Sequence, residues 1–326
     1  LSATSAPSRK VLITDYDFPD LDLEIELFER AGVECVTAQC RSEAEVVDAA
    51  QGCFGILVQY APINARVFAE RPEIRIVSRY GAGFDTVSTD DAKAAGVWVA
   101  NSPDYGIGEV ATHALGMTLS LLRHIHLYGR AVRAGSWHYL SAGTIPRVAD
   151  LTLGILGLGR IGKRMAHIAG HSFGRVIACD PYIAESDFPV GVKRVSIEAL
   201  FEQSNAVSIH VPLNAETRGL VDGPLLRRMP RGSVLVNTAR GPIVNTRDLL
   251  EVVSAGLLDG AALDVLPIEP PAADDPVVQH ERILCTPHAA FYSVVAEREL
   301  RRKAAENLIQ WLQHGKPRYV VVAGSA

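Results

Sequence analysis

Cysteine is scarce in this chain: Cys35, Cys40, Cys53, Cys179 and Cys285 are the whole supply, no two form a C-x-x-C, and one is left over from any pairing. Neither a disulfide framework nor a metal knuckle is indicated, and the five read as buried thiols of a reducing compartment. Excess charge of one sign is missing too. A net charge of −5 over 326 residues gives no bulk electrostatic hold on nucleic acid or a membrane surface, so neither is expected as a partner. Long apolar runs are also lacking; the most apolar helical stretch, Ala114 to Leu122, is too short to span a bilayer. The start, Leu1 to Lys10, has no basic region followed by an apolar core, which makes the cytoplasm the expected location. There is no internal repeat and no low-complexity tract, only a proline-rich loop from Pro267 to Pro276.

What is present, 48% hydrophobic and 21% charged, can bury a large core, and the length suits two domains. Its most informative feature is Gly157-Leu158-Gly159-Arg160-Ile161-Gly162, which follows the apolar run Leu151 to Leu156 and precedes a helix-patterned stretch. Asp180 answers it at the end of Val176-Ile177-Ala178-Cys179. Strand, glycine turn, helix, strand and acid stand in the order of a dinucleotide site. The first glycine permits the tight turn, the second lets backbone N–H groups approach a pyrophosphate, and the third lets helix pack on strand. The helix N-terminus then faces the anion. Asp180 suits the hydroxyls of the adenosine ribose and repels a 2′-phosphate, and Asp180-Pro181-Tyr182 contains no cation, so NAD is favoured over NADP.

The glycine turn begins near mid-chain, so about 150 residues of something else precede it. That segment also reads as β/α: strands at Val11 to Thr14, Gly55 to Val58, Ile74 to Val77 and Val97 to Ala100 alternate with helical patterns at Leu21 to Ala31 and Ser42 to Ala50. Glu109 to Ile125 reads as a helix apolar nearly all round, buried between layers and placed to bridge two domains. Tyr128 to Asp150, aromatic and basic with little periodicity, reads as an arm that packs on another subunit. Beyond Leu151, strands are expected at Ala206 to Ile209, Ser233 to Val236, Ala261 to Leu263 and Arg282 to Leu284, and a last helix at Val294 to His314 returns to the first domain.

In sheets of this kind ligands sit beyond the carboxyl ends of the strands. Just past the expected strands come His210-Val211-Pro212, Thr238-Ala239-Arg240, Asp264 and Thr286-Pro287-His288. Hydride transfer to a 2-oxo acid needs a cation to hold the carboxylate and an acid that titrates near neutral pH. Arg240 offers a planar fork that stays charged, and His288 offers the titrating acid. Glu269, held extended by the following Pro270, is the carboxylate chosen to orient the imidazole and favour its protonated form. Read alone, Arg240 also suits an anchor for the turn at Gly241-Pro242, Glu269 a solvated charge, His288 a hydrogen-bonded histidine and, as the lesser reading, Asp180 a turn residue. The other histidines, His124 and His126 among them, show no ligand spacing, so no metal site is expected.

With these residues the chain resembles the D-isomer-specific 2-hydroxyacid dehydrogenase family over nearly its whole length. The glycine turn with Asp180, Val236-Asn237-Thr238-Ala239-Arg240-Gly241, Ala262-Leu263-Asp264-Val265 leading to Glu269-Pro270, and Thr286-Pro287-His288 follow one another in the family's order. The resemblance implies an α/β fold of two doubly wound parallel-sheet domains. A Rossmann domain over 105–292 is inserted into a smaller flavodoxin-like substrate domain built from 1–104 and 293–326. It implies Arg240, Glu269 and His288 as the catalytic set and Asp264 as the carboxylate on the nicotinamide side. Gly157, Gly159, Arg160, Ile161, Gly162, Asp180, His210, Val211, Pro212, Thr238, Ala239, Arg240 and His288 complete the NAD contacts. Arg79-Tyr80-Gly81-Ala82-Gly83, ahead of Phe84-Asp85, resembles the family's substrate loop, in which glycines let backbone N–H groups meet the carboxylate.

Arg79 and the run Cys285 to Ser293 are similar to the branch that contains the C-terminal-binding-protein corepressors. Phe291 stands where those carry Trp, and Thr112 where the family commonly has an acid. The expected activity is NAD-dependent interconversion of a 2-oxo acid and a D-2-hydroxy acid by a homodimer. Tyr80, Phe84 and Phe291 hint at an apolar substrate side chain. The rival from another class is an NAD(H)-sensing interaction protein with incidental turnover.

Overall fold

The computed structural model describes residues 9–325, and the chain divides into two compact units. One holds the chain up to Gly106 together with the chain from Ser293 onward, and the other is Ile107–Tyr292.

In the first unit β1 (Lys10–Ile13), β2 (Glu34–Thr37), β3 (Gly55–Val58), β4 (Ile76–Arg79) and β5 (Trp98–Ala100) lie parallel in the order β2-β1-β3-β4-β5. That is the flavodoxin-like order. A further strand, Val320–Val322, closes the far edge antiparallel to β5. Every residue of β3 is buried, which is why it reads as one apolar run and not as an alternation. The long helix Val294–His314 is capped by Ser293, whose hydroxyl accepts from the Ala296 N–H at 3.0 Å, and ends at Gly315 in the left-handed region with φ 72°. Ser78 at the middle of β4 donates to the Ala304 carbonyl of this helix at 2.8 Å.

In the second unit β6 (Thr152–Leu156), β7 (Arg175–Cys179), β8 (Val192–Arg194), β9 (Ala206–Ile209), β10 (Ser233–Asn237), β11 (Leu258–Leu263) and β12 (Ile283–Cys285) are all parallel, in the order β8-β7-β6-β9-β10-β11-β12. Strand order reverses between β6 and β9, so a crevice opens at the carboxyl ends of these two strands. The period of two sends Leu153, Ile155, Val234 and Val236 into one core and Leu156, Val207, Ile209 and Leu235 into the other, on opposite faces of the sheet. Burying each such side chain contributes roughly 1.5–3 kcal/mol. The expected α/β class with two parallel-sheet domains, one of them Rossmann-like, is what the strand orders give.

Some expectations need correction. The strand expected at Ile74 to Val77 lies two residues later and ends on Arg79, and β2, β8 and Val320–Val322 were not foreseen. These are short edge strands, half exposed, and β8 carries two charges in three residues. The helix expected over Glu109 to Ile125 is Ile107–Leu122. Two residues past its end His124 takes the left-handed region with φ 51°, and a separate helix Ile125–Arg133 follows, running into the stretch from Tyr128 that was read as aperiodic. Nothing in that second helix is buried. The apolar helix Ile107–Leu122 is a layer of the second unit: Ala111, Ala114, Met117 and Leu121 pack with Leu153, Ile155 and Val236. No helix among the described residues is long and apolar enough to cross a membrane.

Candidate active site

The glycine turn leaves β6 at Leu156 and enters the helix Arg160–Ala169. Each of its three glycines is there for a separate reason. Gly157 has φ 93°, and a Cβ on it would stand 2.8 Å from the backbone of His210 and Val211. A Cβ on Gly162 would stand 2.1 Å from the Gly157 carbonyl oxygen. Around Gly159 there is open space, with nothing within 4 Å of where a Cβ would be. The first-turn N–H groups of the helix lie behind that opening, and the arrangement fits a pyrophosphate. Arg160 is exposed at the helix start, while Ile161 packs toward the core.

Asp180, the acid expected at the ribose, is bound to the glycine turn itself. Its Oδ2 accepts from the Leu158 N–H at 2.8 Å, so it holds the glycine turn, and its Oδ1 accepts from the Tyr182 N–H at 2.9 Å. The crevice itself is a cavity of about 780 Å³ lined by Gly157, Gly159, Asp180, His210, Val211 and Pro212, with Arg194, Glu198 and Glu216 further along. The Tyr182 hydroxyl donates to Glu216 across it. Burial pushes His210 down to about 4, so its imidazole is neutral at pH 7, with Nε2 paired to the Ser208 hydroxyl at 2.9 Å.

A second set collects past β10, β11 and β12. His288 Nδ1 lies 2.7 Å from Glu269 Oε2, and the Leu266 N–H donates to Glu269 Oε1 at 2.7 Å. Burial is the largest influence on Glu269 and pushes its carboxyl up. The hydrogen bond and charge of His288, the Leu266 N–H and the Arg240 charge together outweigh it and hold the carboxyl below its ordinary value. Arg240 follows β10 in a turn built by buried Asn237, whose side chain donates to the Arg240 carbonyl at 2.9 Å and accepts from the Ala239 N–H at 3.0 Å. Gly241 lets this turn meet the Glu269 loop, since a Cβ on it would stand 2.0 Å from the Leu266 carbonyl carbon. Thr238 is buried beside Arg240.

His288 sits in the left-handed region with φ 54°, a conformation that non-glycine residues adopt only when their surroundings impose it. The imposing group is Asp264. Its carbonyl accepts from the His288 N–H at 2.8 Å, its Oδ1 from the Thr286 hydroxyl at 2.5 Å and the Ala289 N–H at 2.9 Å, and its Oδ2 from the Ala290 N–H at 2.9 Å. Asp264, expected to face the nicotinamide, is therefore 2% exposed with both oxygens committed to shaping the histidine loop.

The loop Arg79-Tyr80-Gly81-Ala82-Gly83 belongs to the first unit. Gly81 has φ 138°, and the Arg79 guanidinium lies where a Cβ would be, 1.6 Å from it. Asn101 and the Ser102 N–H hold the Ala82 and Gly81 carbonyls at 2.7 and 2.8 Å. Tyr80 corrects the expectation of a substrate contact through its side chain. It is 1% exposed, stacks edge-on with Phe18, and its hydroxyl donates to buried Glu24 at 3.0 Å. Thr112 turns its hydroxyl back onto the Gly108 carbonyl of its own helix at 2.8 Å, and nothing in the structure explains why it stands in place of an acid. Phe291 is half-buried, edge-on to Tyr292. Asn237, Thr286 and His113 went unassigned from the sequence, although the first two stand inside quoted motifs.

Residues 115–290, more than half of the chain, match the family described as D-isomer specific 2-hydroxyacid dehydrogenase, NAD binding domain. The chain is 37% identical to a glyoxylate reductase of Korarchaeum cryptofilum over 253 residues, 76% of each protein. It is 33% identical to a D-3-phosphoglycerate dehydrogenase of Bacillus subtilis over 76% of this chain and 47% of that one. Among solved structures, it is similar to an NADPH-dependent glyoxylate/hydroxypyruvate reductase of Sinorhizobium meliloti in complex with NADP and malonate, with a TM-score of 0.86, 25% identity, and coverage of 97% of this chain and 98% of that one.

Proposed function

The chain belongs to the D-isomer-specific 2-hydroxyacid dehydrogenase family, and on that premise we propose which dinucleotide it uses and what each site residue does. It is an NAD(P)-dependent oxidoreductase that interconverts a 2-oxo acid and a 2-hydroxy acid, and the sensing alternative is not favoured. In our reading Arg240 binds the substrate carboxylate and polarises the carbonyl. His288 gives the proton to the carbonyl oxygen in reduction and takes it back in oxidation, and Glu269 orients the imidazole. The bound dinucleotide supplies hydride to the carbonyl carbon, and the product is the D-2-hydroxy acid. The observation that carries the reading is the 2.7 Å pair of His288 and Glu269 beside the Arg240 turn. Nδ1 is held by the carboxylate, so Nε2 is the nitrogen that faces substrate.

We assign the working cofactor as NADH. Asp180, Glu185, Glu198 and Glu216 line the adenosine end of the cavity against one cation, Arg194, a balance unfavourable to a 2′-phosphate. The NADP-bound relative makes NADPH the comparison to run. Arg79, with the backbone of Gly81, Ala82 and Gly83, is assigned to the substrate carboxylate, and Phe291 to its side chain.

A homodimer is the assembly we propose, formed through the arm from Tyr128 to Asp150. Trp137 is 88%, Tyr139 75% and Leu140 50% exposed there. A monomeric mass in sedimentation equilibrium would remove that assignment. The reducing cytoplasm is the proposed location, given five cysteines that are all free thiols. Initial rates of NADH oxidation across 2-oxo acids, with His288→Ala in parallel, test the catalytic reading.

A further inference from the structure

His113 lies on the helix Ile107–Leu122, outside every motif that brings the other site residues together. Its Nε2 is 3.1 Å from the Thr286 hydroxyl and 3.8 Å from Asp264 Oδ1. The Thr286 hydroxyl has one proton, and at 2.5 Å it gives that proton to Asp264, whose carboxylate already receives the Ala289 and Ala290 N–H groups and can only accept. The hydroxyl oxygen is therefore the acceptor toward His113, and the tautomer is fixed: Nε2 carries a proton and donates. A directed chain runs from His113 to Thr286 to Asp264 and on to the loop that holds His288 at φ 54°.

We infer that His113 is a positioning residue for proton transfer: by donating to Thr286 it completes the hydrogen-bond set of Asp264 and so fixes the strained loop that aims His288. The inference rests on the assignment of His288 as the proton donor. The chain needs an N–H at the Nε2 position, whether the ring is neutral or charged. A glutamine amide can place an N–H there, and phenylalanine cannot.

Four variants of the full chain test this: His113→Phe, His113→Gln, Thr286→Val and the double variant His113→Phe with Thr286→Val. Removing one member leaves a partner in the chain unsatisfied, so His113→Phe and Thr286→Val should each lower kcat about tenfold. KM for the 2-oxo acid and the Kd for NADH should stay within about twofold, because neither carboxylate binding nor the glycine turn is touched. The double variant should be no slower than the worse single one, and His113→Gln should recover most of the rate. Should His113→Phe fail to fold, His113→Leu against His113→Gln carries the same comparison, with glutamine keeping the N–H. A wild-type kcat in His113→Phe, additive losses in the double variant, or a glutamine variant as slow as the phenylalanine one each overturns the inference. His288→Ala separates the two levels: if it retains full turnover, the proton-donor assignment falls and this inference with it. If it is inactive while His113→Phe is normal, only the inference falls.

Discussion

His288 Nδ1 and Glu269 Oε2 are 2.7 Å apart, and each residue is held to that meeting by a separate backbone contact: His288 through the Asp264 carbonyl at 2.8 Å, Glu269 through the Leu266 N–H at 2.7 Å. The pair is thus preorganised from two loops before any substrate arrives. Preorganisation of this kind keeps an acid aligned with the atom it must protonate.

Glu269→Gln should move the pH profile of 2-oxo acid reduction to lower pH. Glu269 Oε2 lies 2.7 Å from His288 Nδ1, and its carboxyl is held below its ordinary value by the hydrogen bond and charge of His288 among other contacts, so the amide takes a full charge away from the immediate surroundings of the proton donor. Profiles of kcat/KM against pH for the two proteins measure the displacement; superimposed profiles would remove Glu269 from this role.

Arg240→Lys keeps a positive charge and discards the planar fork. A single ammonium cannot hold carboxylate and carbonyl together, so kcat/KM for 2-oxo acids should fall by roughly 10²–10³. The Kd for NADH, read by fluorescence titration, should change little by comparison. A loss confined to NADH binding would reassign Arg240 to the cofactor.

Two glycines of one turn should respond differently to the same methyl group. In Gly162→Ala the Cβ meets the Gly157 carbonyl oxygen at 2.1 Å, backbone against packed backbone, which should cost about 1–3 kcal/mol and lower Tm. In Gly159→Ala the Cβ enters open space, so Tm should hold while NADH binding weakens. Calorimetry with and without NADH distinguishes the two; equal loss of Tm in both would deny Gly159 its place in the cofactor cradle.

His210 makes the protein more sensitive to acid. Its folded-state value of about 4 lies below the ordinary 6.5, so the unfolded chain binds the extra proton between those values and stability falls as pH drops through that window. Above pH 6.5 the penalty is absent. In His210→Asn the slope of stability against pH between about 6.5 and 4 should flatten, as urea midpoints across that range would register.

Much of the nucleotide half was readable because its constraints are local. Gly157 is marked by its positive φ and Gly162 by contact with the Gly157 carbonyl of the same turn, and β6, β9 and β10 are buried on both faces, leaving unbroken apolar runs. Arg240 and His288 were legible as residue types just past strands, where parallel sheets present ligands, and Glu269 as the acid held extended by Pro270. What escaped depends on contacts distant in sequence. The inward turn of Tyr80 is set by Glu24 and Phe18, and the commitment of Asp264 to the histidine loop by Thr286, Ala289 and Ala290. His113 meets Thr286 only once helix and strand have packed, and no spacing in the chain announces it.

The most direct measurement is the initial rate of NADH oxidation by the purified protein with glyoxylate, pyruvate, branched and phenyl 2-oxo acids. NADPH and His288→Ala are run in parallel. Turnover with at least one of these acids, faster with NADH than with NADPH and reduced roughly 10²–10⁴-fold in His288→Ala, is the expected result. Folded, NADH-binding protein that turns over none of them, or a His288→Ala variant as fast as the wild type, would contradict it.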